Sequence, residues 1–260
     1  ENSRHHYGEL VALDRSIGTL RGGLQDLGVS ERTLVWYCSD NGGLPKIKPA
    51  TVGGLRGFKG SLYEGGLRVP AIIEWPVQKL KGRTAVPVWT CDIYPTLMAM
   101  AGVQLNAPHP LDGIDVSNII FEKANKRSRP MGFWHHFQEG QTTWNDRILK
   151  AIMEKQHADA PLPHDPPRMR KDVDEFPQFP EDISRGHVAW NDWPWKLHRI
   201  NHKKKGERFE LYNLQNDPME ANDCSNDPEY QERLEWMKKE LDAWMRSVIR
   251  SLNGKDYRKK

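Results

Sequence analysis

The sequence has few cysteines, no long apolar run and no excess of charge of one sign. Its 260 residues include 3 cysteines, 38 basic and 35 acidic side chains, and 37% hydrophobic residues. Cysteines this sparse, without a CxxC spacing, indicate neither a disulfide framework nor a zinc site. Nearly balanced charge argues against nucleic acid or a membrane surface as a partner, and no apolar stretch could span a bilayer. The composition indicates a globular protein with one large domain or two smaller ones.

The first 130 residues show the order of helices and strands that is typical of an α/β domain. Between residues 7 and 27, leucines recur at steps of three and four, which predicts an amphipathic helix. Apolar runs that begin at Thr33 and Arg68 predict buried strands, and their pattern favours parallel pairing under helices. A helix capped by Asp92 and a short helix from about Asp115 follow. We therefore expect an α/β domain over residues 1–130.

Residues 131–260 have a different texture and are predicted to form a C-terminal subdomain. Prolines and charges crowd a stretch at about 154–187, which predicts a long irregular insertion. Strand-like runs at 187–200 and 208–214 follow it. A last helix begins with Asp227 as N-cap, and five of its side chains are predicted to face inward: Leu234, Leu241, Trp244, Val248 and Leu252.

The stretch TLVWYCSDNGG, residues 33–43, ends an apolar run with an acid, an amide and two glycines. Asn-Gly is a strong hairpin signal, but the residues that follow contain two prolines and do not alternate. In an open α/β sheet, ligands bind beyond the carboxyl ends of the strands, where Asp40 and Asn41 would offer oxygen donors suited to calcium or magnesium. Because both residue types are also common in turns, spacing alone leaves a plain turn and an ion site open.

The segment GGLRGFKGSLYEGG, residues 53–66, places Lys59 among six glycines. Glycines allow a backbone to approach a ligand closely, and a lysine ammonium is a point charge suited to a tetrahedral oxyanion. The segment is not a Walker loop, because Phe58 stands where that motif needs glycine. Taken alone, the pattern favours a solvated lysine on a surface loop over an anion site.

Together these segments resemble a known family. SDNGG, LRGFKGSLYEGGLRVP, DIYPTLMAMAGV and LDGIDVSNII are similar, in order and spacing, to the second half of a type I sulfatase of the alkaline phosphatase superfamily. The arylsulfatases and N-acetylgalactosamine-6-sulfatases are the members that the chain resembles. The opening helix, PWKLHRI and FELYNLQNDPMEANDC are similar to that family as well. Apart from the proline-rich insertion, the resemblance covers nearly all of residues 7–244.

The resemblance implies a calcium-dependent hydrolase, with Mg²⁺ as the alternative ion. In this family a formylglycine, made from cysteine or serine, attacks the sulfur of a sulfate ester. By the same resemblance Asp40 and Asn41 would be metal ligands, and Lys59 would bind the substrate sulfate. The cation and the ammonium would then stabilise charge on the sulfuryl oxygens as the S–O bond breaks.

The sequence also departs from the family pattern. No cysteine or serine begins the Cys- or Ser-x-Pro-Ser-Arg motif of the nucleophile, and the early aspartate pair of the metal site is absent. Calcium takes about six to eight oxygens, whereas this chain offers only two convincing side-chain donors. We therefore expect the C-terminal part of an alkaline-phosphatase-like mixed α/β sheet flanked by helices, followed by a small antiparallel sheet with a packed C-terminal helix. The formylglycine would lie in an N-terminal half that this chain lacks.

The leading hypothesis is a sulfatase-like hydrolase that acts on a sulfated small molecule or polysaccharide, with this chain inactive alone. A phosphodiesterase or phosphonate hydrolase of the same superfamily is the second hypothesis, and a non-catalytic fragment or binding module is the third. Neither nucleic acid nor a membrane is expected as a partner, and the oligomeric state stays open. Residues 1–10 lack the apolar region of a signal peptide, but the family suggests a periplasmic, secreted or lysosomal protein.

Other conspicuous side chains receive structural interpretations. His135 and His136 could be ligands, but a histidine pair at a strand end is more often structural. Glu207 and Glu210 are interpreted as solvated strand surface. Five tryptophans could stack on carbohydrate or fill the core of the second part: Trp134, Trp144, Trp190, Trp193 and Trp195.

Overall fold

The structure is a computed structural model of the chain. It describes residues 2–49, 51–104, 106, 109–121, 123–135, 153–154, 156–158, 186–202 and 204–256. Most of the predicted proline-rich insertion, together with His136 and Trp144, lies outside these ranges. Within them, no helix is long and apolar enough to cross a membrane.

The described residues form helices and strands in nearly the predicted order, and they include a two-stranded and a four-stranded sheet. The elements are, along the chain, α1 Asn2–Asp26, β1 Val35–Cys38, α2 Glu64–Leu67, β2 Ala71–Glu74, α3 Ile93–Met100, α4 Ser117–Ile120, β3 Met131–His135, β4 Gly186–Asp192, β5 Trp195–His202, β6 Gly206–Asn213 and α5 Gln231–Leu252. The boundary near residue 130 stays a prediction, although β3 begins directly after it.

Helix α1 carries the predicted leucine stripe. The helix ends before Gly28, whose φ of 65° is the left-handed conformation expected after a helix C-terminus. Within the described part of the chain, the stripe is largely open, with Leu10 45% and Leu20 52% exposed. Arg21 fastens the helix to β2 through two 2.8 Å hydrogen bonds to Glu74. The helix was predicted correctly, but its apolar face packs on little of the structure.

Strands β1 and β2 pair antiparallel, with Val35 opposite Glu74 and Cys38 opposite Ala71. The prediction of parallel pairing is therefore wrong for these two strands. A parallel pair needs a crossover connection of a dozen or more residues, and that connection usually contains an α-helix packed on the sheet. The connection here holds only the four-residue α2, so the chain turns back on itself, and the N–H of Ser39 donates to the carbonyl of Pro70 at 3.2 Å.

Asp92 stands before α3 as predicted, but its carboxylate does not cap the helix. It accepts hydrogen bonds from the N–H of Ile114 at 2.8 Å and from the backbone and ring of Trp89. The guanidinium of Arg127 completes the set, and both side chains are almost fully buried. Asp92 therefore ties three chain segments together, which its position in the sequence does not reveal.

The C-terminal sheet is antiparallel throughout, in the order β3-β4-β5-β6. Successive side chains of a strand point to opposite faces, and the two faces of this sheet differ in chemistry. One face packs on α5 in an apolar core formed by Val188, Trp190, Leu197, Leu211, Leu234, Met237, Leu241, Met245 and Ile249. The other face, called here the polar face, carries buried charged side chains and a histidine: Lys196, His198 and Glu210.

Helix α5 begins three residues after the predicted first turn and packs with a slightly different set of side chains. The carboxylate of Asp227 accepts the N–H of Glu229 at 2.9 Å and caps the 3-10 turn Pro228–Tyr230, which leads into α5 at Gln231. Leu234 and Leu241 are buried, but Leu252 is 47% exposed, so its inward orientation is a wrong prediction. The buried positions continue at steps of four as Met245 and Ile249, and residue 252 falls beside that stripe.

Candidate functional site

Asp40 and Asn41 follow β1 directly, at the end of the strand where the sequence predicts a ligand. Asp40 is exposed and Asn41 is half-buried. Their side chains contact each other, with 2.9 Å between Asn41 Nδ2 and Asp40 Oδ1. The hydroxyl of Ser39 donates to the carbonyl of Asn41 at 3.1 Å and fixes the backbone. Two adjacent oxygen-bearing side chains therefore stand at the rim of the β1–β2 sheet.

The two glycines after Asn41 join this strand end to the glycine-rich segment. Gly42 N–H donates to the carbonyl of Gly66, and Lys59 N–H donates to the carbonyl of Gly43, both at 2.9 Å. A Cβ atom at Gly42 would lie 2.0 Å from the carbonyl oxygen of Gly65, which is closer than any real contact. Glycine is therefore required at residue 42, and the backbone of Lys59 is fixed beside the predicted metal ligands. The side chain of Lys59 is exposed.

The segment around Lys59 is a compact loop held by its own backbone. Gly65 N–H donates to the carbonyl of Arg56 at 2.7 Å, and Ser61 N–H donates to the carbonyl of Phe58 at 2.9 Å. Gly57 has a φ of 80°, a conformation that favours glycine. The backbone that carries Lys59 is therefore held by several hydrogen bonds, while its side chain is exposed.

Glu64, in the same segment, forms a buried ion cluster with the polar face of the C-terminal sheet. Lys196 Nζ lies 2.8 Å from Glu64 Oε1 and 3.0 Å from Glu220 Oε1. The side chains of Lys196 and Glu220 are 0% exposed, and that of Glu64 is 13% exposed. The second oxygen of Glu220 accepts the N–H of Glu64 at 2.6 Å. Both carboxylates therefore share one ammonium away from water.

Two histidines extend this cluster along the polar face. His198 Nε2 lies 2.8 Å from Glu220 Oε1, and His187 Nε2 lies 2.7 Å from His198 Nδ1. The contacts are satisfied when each histidine carries its proton on Nε2, so that His187 donates to His198 and His198 donates to Glu220. Burial first, then the neighbouring charges of His198 and Lys196, lower the pKa of His187 to about 3. Burial and the charge of Lys196 also lower the pKa of His198.

The glycine-rich segment makes a second contact with the C-terminal sheet, through Glu210 of β6. The sequence predicts that Glu210 lies on the solvated surface. That prediction is wrong, because Glu210 is 7% exposed and accepts the hydroxyls of Tyr63 at 2.8 Å and Tyr212 at 2.9 Å. Burial alone would raise the pKa of Glu210, but these two hydrogen bonds and the charge of Arg56 outweigh it and lower the pKa. Arg56 donates to Tyr212 at 2.8 Å and to the carbonyl of Glu220 at 3.0 Å.

Comparison with known proteins finds similarity to sulfatases. The sequence profile described as Sulfatase matches residues 2–103. A protein named sulfatase from Formosa agariphila is 26% identical over 248 residues, which cover 90% of this chain and 38% of that protein. Human arylsulfatase A is 36% identical over 137 residues, which cover 50% of this chain and 26% of that protein. Over residues 2–103 the chain is similar to the sulfatase family.

The fold of the chain is also found in solved structures. The structure of Ps i-CgsB in complex with k-i-k-neocarrahexaose superposes with a TM-score of 0.66 at 23% identity. The superposition covers 98% of this chain and 48% of the other. The chain therefore spans less than half the length of each of these relatives, and its mixed α/β fold matches part of the solved structure.

Asp40 and Asn41 have the ligand chemistry of a calcium site, but two side chains are too few ligands for one. A carboxylate and an amide are hard oxygen donors of the type that Ca²⁺ prefers, whereas Ca²⁺ takes about six to eight oxygens. Among the described residues, no group of three or more His, Cys, Asp or Glu side chains could hold a metal ion. Asp40 and Asn41 alone could therefore hold only part of the coordination shell of a metal ion.

The remaining sequence candidates have structural roles. Trp190 packs against Trp244 of α5, with ring centroids 5.8 Å apart, and Trp134 and Trp195 pack against the same core. His135 is half-buried in β3 opposite His187. The side chains that the sequence did not single out are Glu64, Lys196 and Glu220, although they stand in segments that carry the family resemblance: YEGG, PWKLHRI and NDPMEAN.

Proposed function

We propose that this chain is part of a sulfatase that hydrolyses sulfate esters, with Lys59 binding the sulfate and with Asp40 and Asn41 as metal ligands. The observation that carries the proposal is the hydrogen bond between Lys59 N–H and the carbonyl of Gly43. It holds the backbone of Lys59 two residues from the predicted ligand pair. One anion could then contact the ammonium and a cation at the same time.

The residues of this chain would bind and orient the substrate. The ammonium of Lys59 is exposed and would pair with sulfate oxygens whose negative charge grows as the S–O bond breaks. Asp40 and Asn41 would hold Ca²⁺, or Mg²⁺ as the alternative, and the ion would supply Lewis-acid stabilisation of the same oxygens. The family's formylglycine nucleophile would come from a motif outside this sequence, which is why we propose that the chain is inactive alone.

The substrate class we propose is a sulfated carbohydrate. Its support is the relative solved with k-i-k-neocarrahexaose, an oligosaccharide, and the names sulfatase and arylsulfatase A of two other relatives. We propose export for the same family reason. A phosphodiesterase or phosphonate hydrolase would use the same ligand pair, and among the described residues no contact favours it over a sulfatase.

The proposal is tested by hydrolysis of 4-nitrophenyl sulfate and of 4-nitrophenyl phenylphosphonate by the protein that contains this chain together with the nucleophile motif. Lys59→Ala should lower turnover of the sulfate ester about 10²- to 10³-fold, the usual cost of removing one group that stabilises the developing charge. Lys81→Ala is the control, because Lys81 is another exposed lysine. Unchanged turnover in Lys59→Ala would remove Lys59 from the site, and preference for the phosphonate would assign the alternative reaction.

A further inference from the structure

We infer that Lys196 is a positioning residue, which holds the loop that carries Lys59 through Glu64 and Glu220. The inference rests on the proposed function for its catalytic consequence, but its structural part can be tested independently. By this inference the C-terminal sheet supports the proposed anion site, although none of the side chains of the sheet is proposed to contact the substrate.

The ion cluster stands where the sheet meets the loop, and its charges depend on one another. Glu220 is fully buried, and its two oxygens contact Lys196, His198 and the N–H of Glu64. Taking a carboxylate out of water is strongly unfavourable unless it is paired. Lys196 pairs with Glu64 and Glu220 together. Without the ammonium, two carboxylates would face each other across a dry contact, and Glu64 is the one that can move towards water.

A displacement of Glu64 would be transmitted to the backbone of Lys59 through a short series of backbone hydrogen bonds. Glu64 begins α2, and the carbonyl of Gly66 in that helix accepts Gly42 N–H at 2.9 Å. The carbonyl of Gly43, the next residue, accepts Lys59 N–H at 2.9 Å. The backbones of α2 and the loop are in close contact here, because a Cβ at Gly66 would lie 2.1 Å from the carbonyl oxygen of Ser61. A shift of α2 therefore displaces the strand end and the loop together.

A second set of contacts prevents the loop from detaching altogether, which lets the effect of Lys196 be measured. The guanidinium of Arg56 lies 3.8 Å from the ring centre of Tyr63, and it donates to Tyr212 at 2.8 Å. Tyr63 in turn donates to Glu210 at 2.8 Å. Removal of Lys196 should therefore loosen α2 and the Lys59 backbone without unfolding the sheet.

Strand β5 itself provides a matched control in Arg199. Arg199 is a basic residue 7% exposed, and it pairs with Asp242 of α5 on the opposite face of the same strand. Lys196→Met and Arg199→Met each remove a buried positive charge from β5. Only the first removes a contact with the loop, so the comparison separates positioning from a general loss of stability.

The first measurement is hydrogen exchange at the amides of Gly42 and Lys59 in the full chain. In Lys196→Met these amides should exchange about tenfold faster or more, while amides in the middle of α5 keep their protection, because local opening is independent of global unfolding. Arg199→Met should leave Gly42 and Lys59 unchanged relative to α5. Equal acceleration of all amides in Lys196→Met, or no acceleration at Gly42 and Lys59, would overturn the inference.

Two further variants keep the test decisive if Lys196→Met does not fold. Lys196→Arg retains a buried positive charge and should restore most of the protection at Gly42 and Lys59. Glu64→Gln keeps Glu220 paired with Lys196 but weakens the contact with the loop, and it should accelerate the same two amides. Normal protection in Glu64→Gln would contradict the inference as directly as a negative result in Lys196→Met.

The catalytic consequence is tested with 4-nitrophenyl sulfate in the protein that also carries the nucleophile motif. Lys196→Met should lower kcat/KM about 10-fold or more, and the loss should nearly vanish when Lys59 is already alanine, because the two residues act through one group. If Lys59→Ala has no effect on turnover while Lys196→Met still exposes the Gly42 and Lys59 amides, the proposed function fails and the positioning contact stands. If the effects of Lys59→Ala and Lys196→Met on turnover are simply additive, the catalytic part of the inference is contradicted.

Discussion

The backbone N–H of Lys59 lies 2.9 Å from the carbonyl oxygen of Gly43. This hydrogen bond connects a loop lysine to the end of the strand that delivers Asp40 and Asn41. A second hydrogen bond, from Gly42 N–H to the carbonyl of Gly66 at 2.9 Å, joins the same strand end to the glycine-rich segment. Two segments that the sequence presents separately thus form one backbone unit.

Because the backbone is tightly packed at Gly42, a single added methyl group should lower the stability of the chain substantially. In Gly42→Ala the new Cβ would lie 2.0 Å from the backbone of Gly65, so α2 must move and both hydrogen bonds weaken. We expect a loss of about 2–4 kcal/mol in the free energy of unfolding, in the range of overpacked sites with backbone strain. Urea denaturation would measure it.

The matched control for that variant is Gly18→Ala. Gly18 lies in α1, and a Cβ there meets no atom within 4 Å. Alanine should stabilise the chain by about 0.5–1 kcal/mol through helix propensity. Equal effects of the two substitutions would contradict the tight contact at Gly42.

Burial decides which ion pairs matter for stability. Arg127→Met should lower the free energy of unfolding by about 3–5 kcal/mol, because it leaves the fully buried carboxylate of Asp92 without its counter-charge. Arg21→Met removes the ion pair between Arg21 and Glu74, in which both side chains are solvent-exposed, and it should change the free energy of unfolding very little. Thermal or urea unfolding of both variants would check the ranking, which a similar loss in both would refute.

Stability should fall as the pH drops below that at which an unfolded histidine titrates. Burial lowers the pKa of His187 to about 3 in the folded chain from its ordinary value of 6.5, so between these values the unfolded chain binds more protons. The contribution is fully present above pH 6.5 and is lost towards pH 3, at about 1.4 kcal/mol per pH unit. Urea midpoints at pH 7 and pH 5 would show the slope.

A variant isolates the histidine from the carboxylates that titrate in the same range. His187→Gln should reduce the slope of the free energy of unfolding against pH by the equivalent of about one bound proton. The control His5→Gln alters an exposed residue of α1 and should leave this slope unchanged. The same slope in His187→Gln and in the unaltered chain would show that this imidazole does not remain neutral on folding.

Helix α5 allows a direct test of the core. Leu241 is 0% exposed and packs against the C-terminal sheet, while Leu252 is 47% exposed. Leu241→Ala should cost about 2–5 kcal/mol, and Leu252→Ala should change stability by about 0.5 kcal/mol or less. Calorimetry of both variants would distinguish this packing from the sequence-based prediction that both leucines face inward.

Local signals in the sequence predicted the elements whose causes are local. The leucine spacing defines α1, and Asp227 caps the turn that begins α5, because periodicity and capping depend on neighbouring residues. The pairing of β1 with β2 was predicted in the wrong direction. Strand direction depends on the connection between the strands, and the apolar runs of β1 and β2 do not indicate the form of that connection.

The polar face could not be predicted, because it is formed by distant segments. Glu64 and Lys196 are 132 residues apart in the chain, and no spacing rule joins them. Glu210 looks like solvated surface beside Arg208, and only the tyrosines that donate to it show that it is buried. The candidate site itself was identified by resemblance, since Asp40 and Asn41 alone are as compatible with a turn as with an ion site, and Lys59 alone favours a solvated surface residue.

The central claim is that Asp40, Asn41 and Lys59 serve one anion and one cation. The most direct measurement is a crystal structure of the protein grown with calcium chloride and inorganic sulfate. The account predicts an ion bound to oxygen atoms of Asp40 and Asn41, with a sulfate that contacts both this ion and the Lys59 ammonium at about 3 Å. A structure in which Asp40 and Asn41 bind no ion and Lys59 extends into solvent away from them would contradict it.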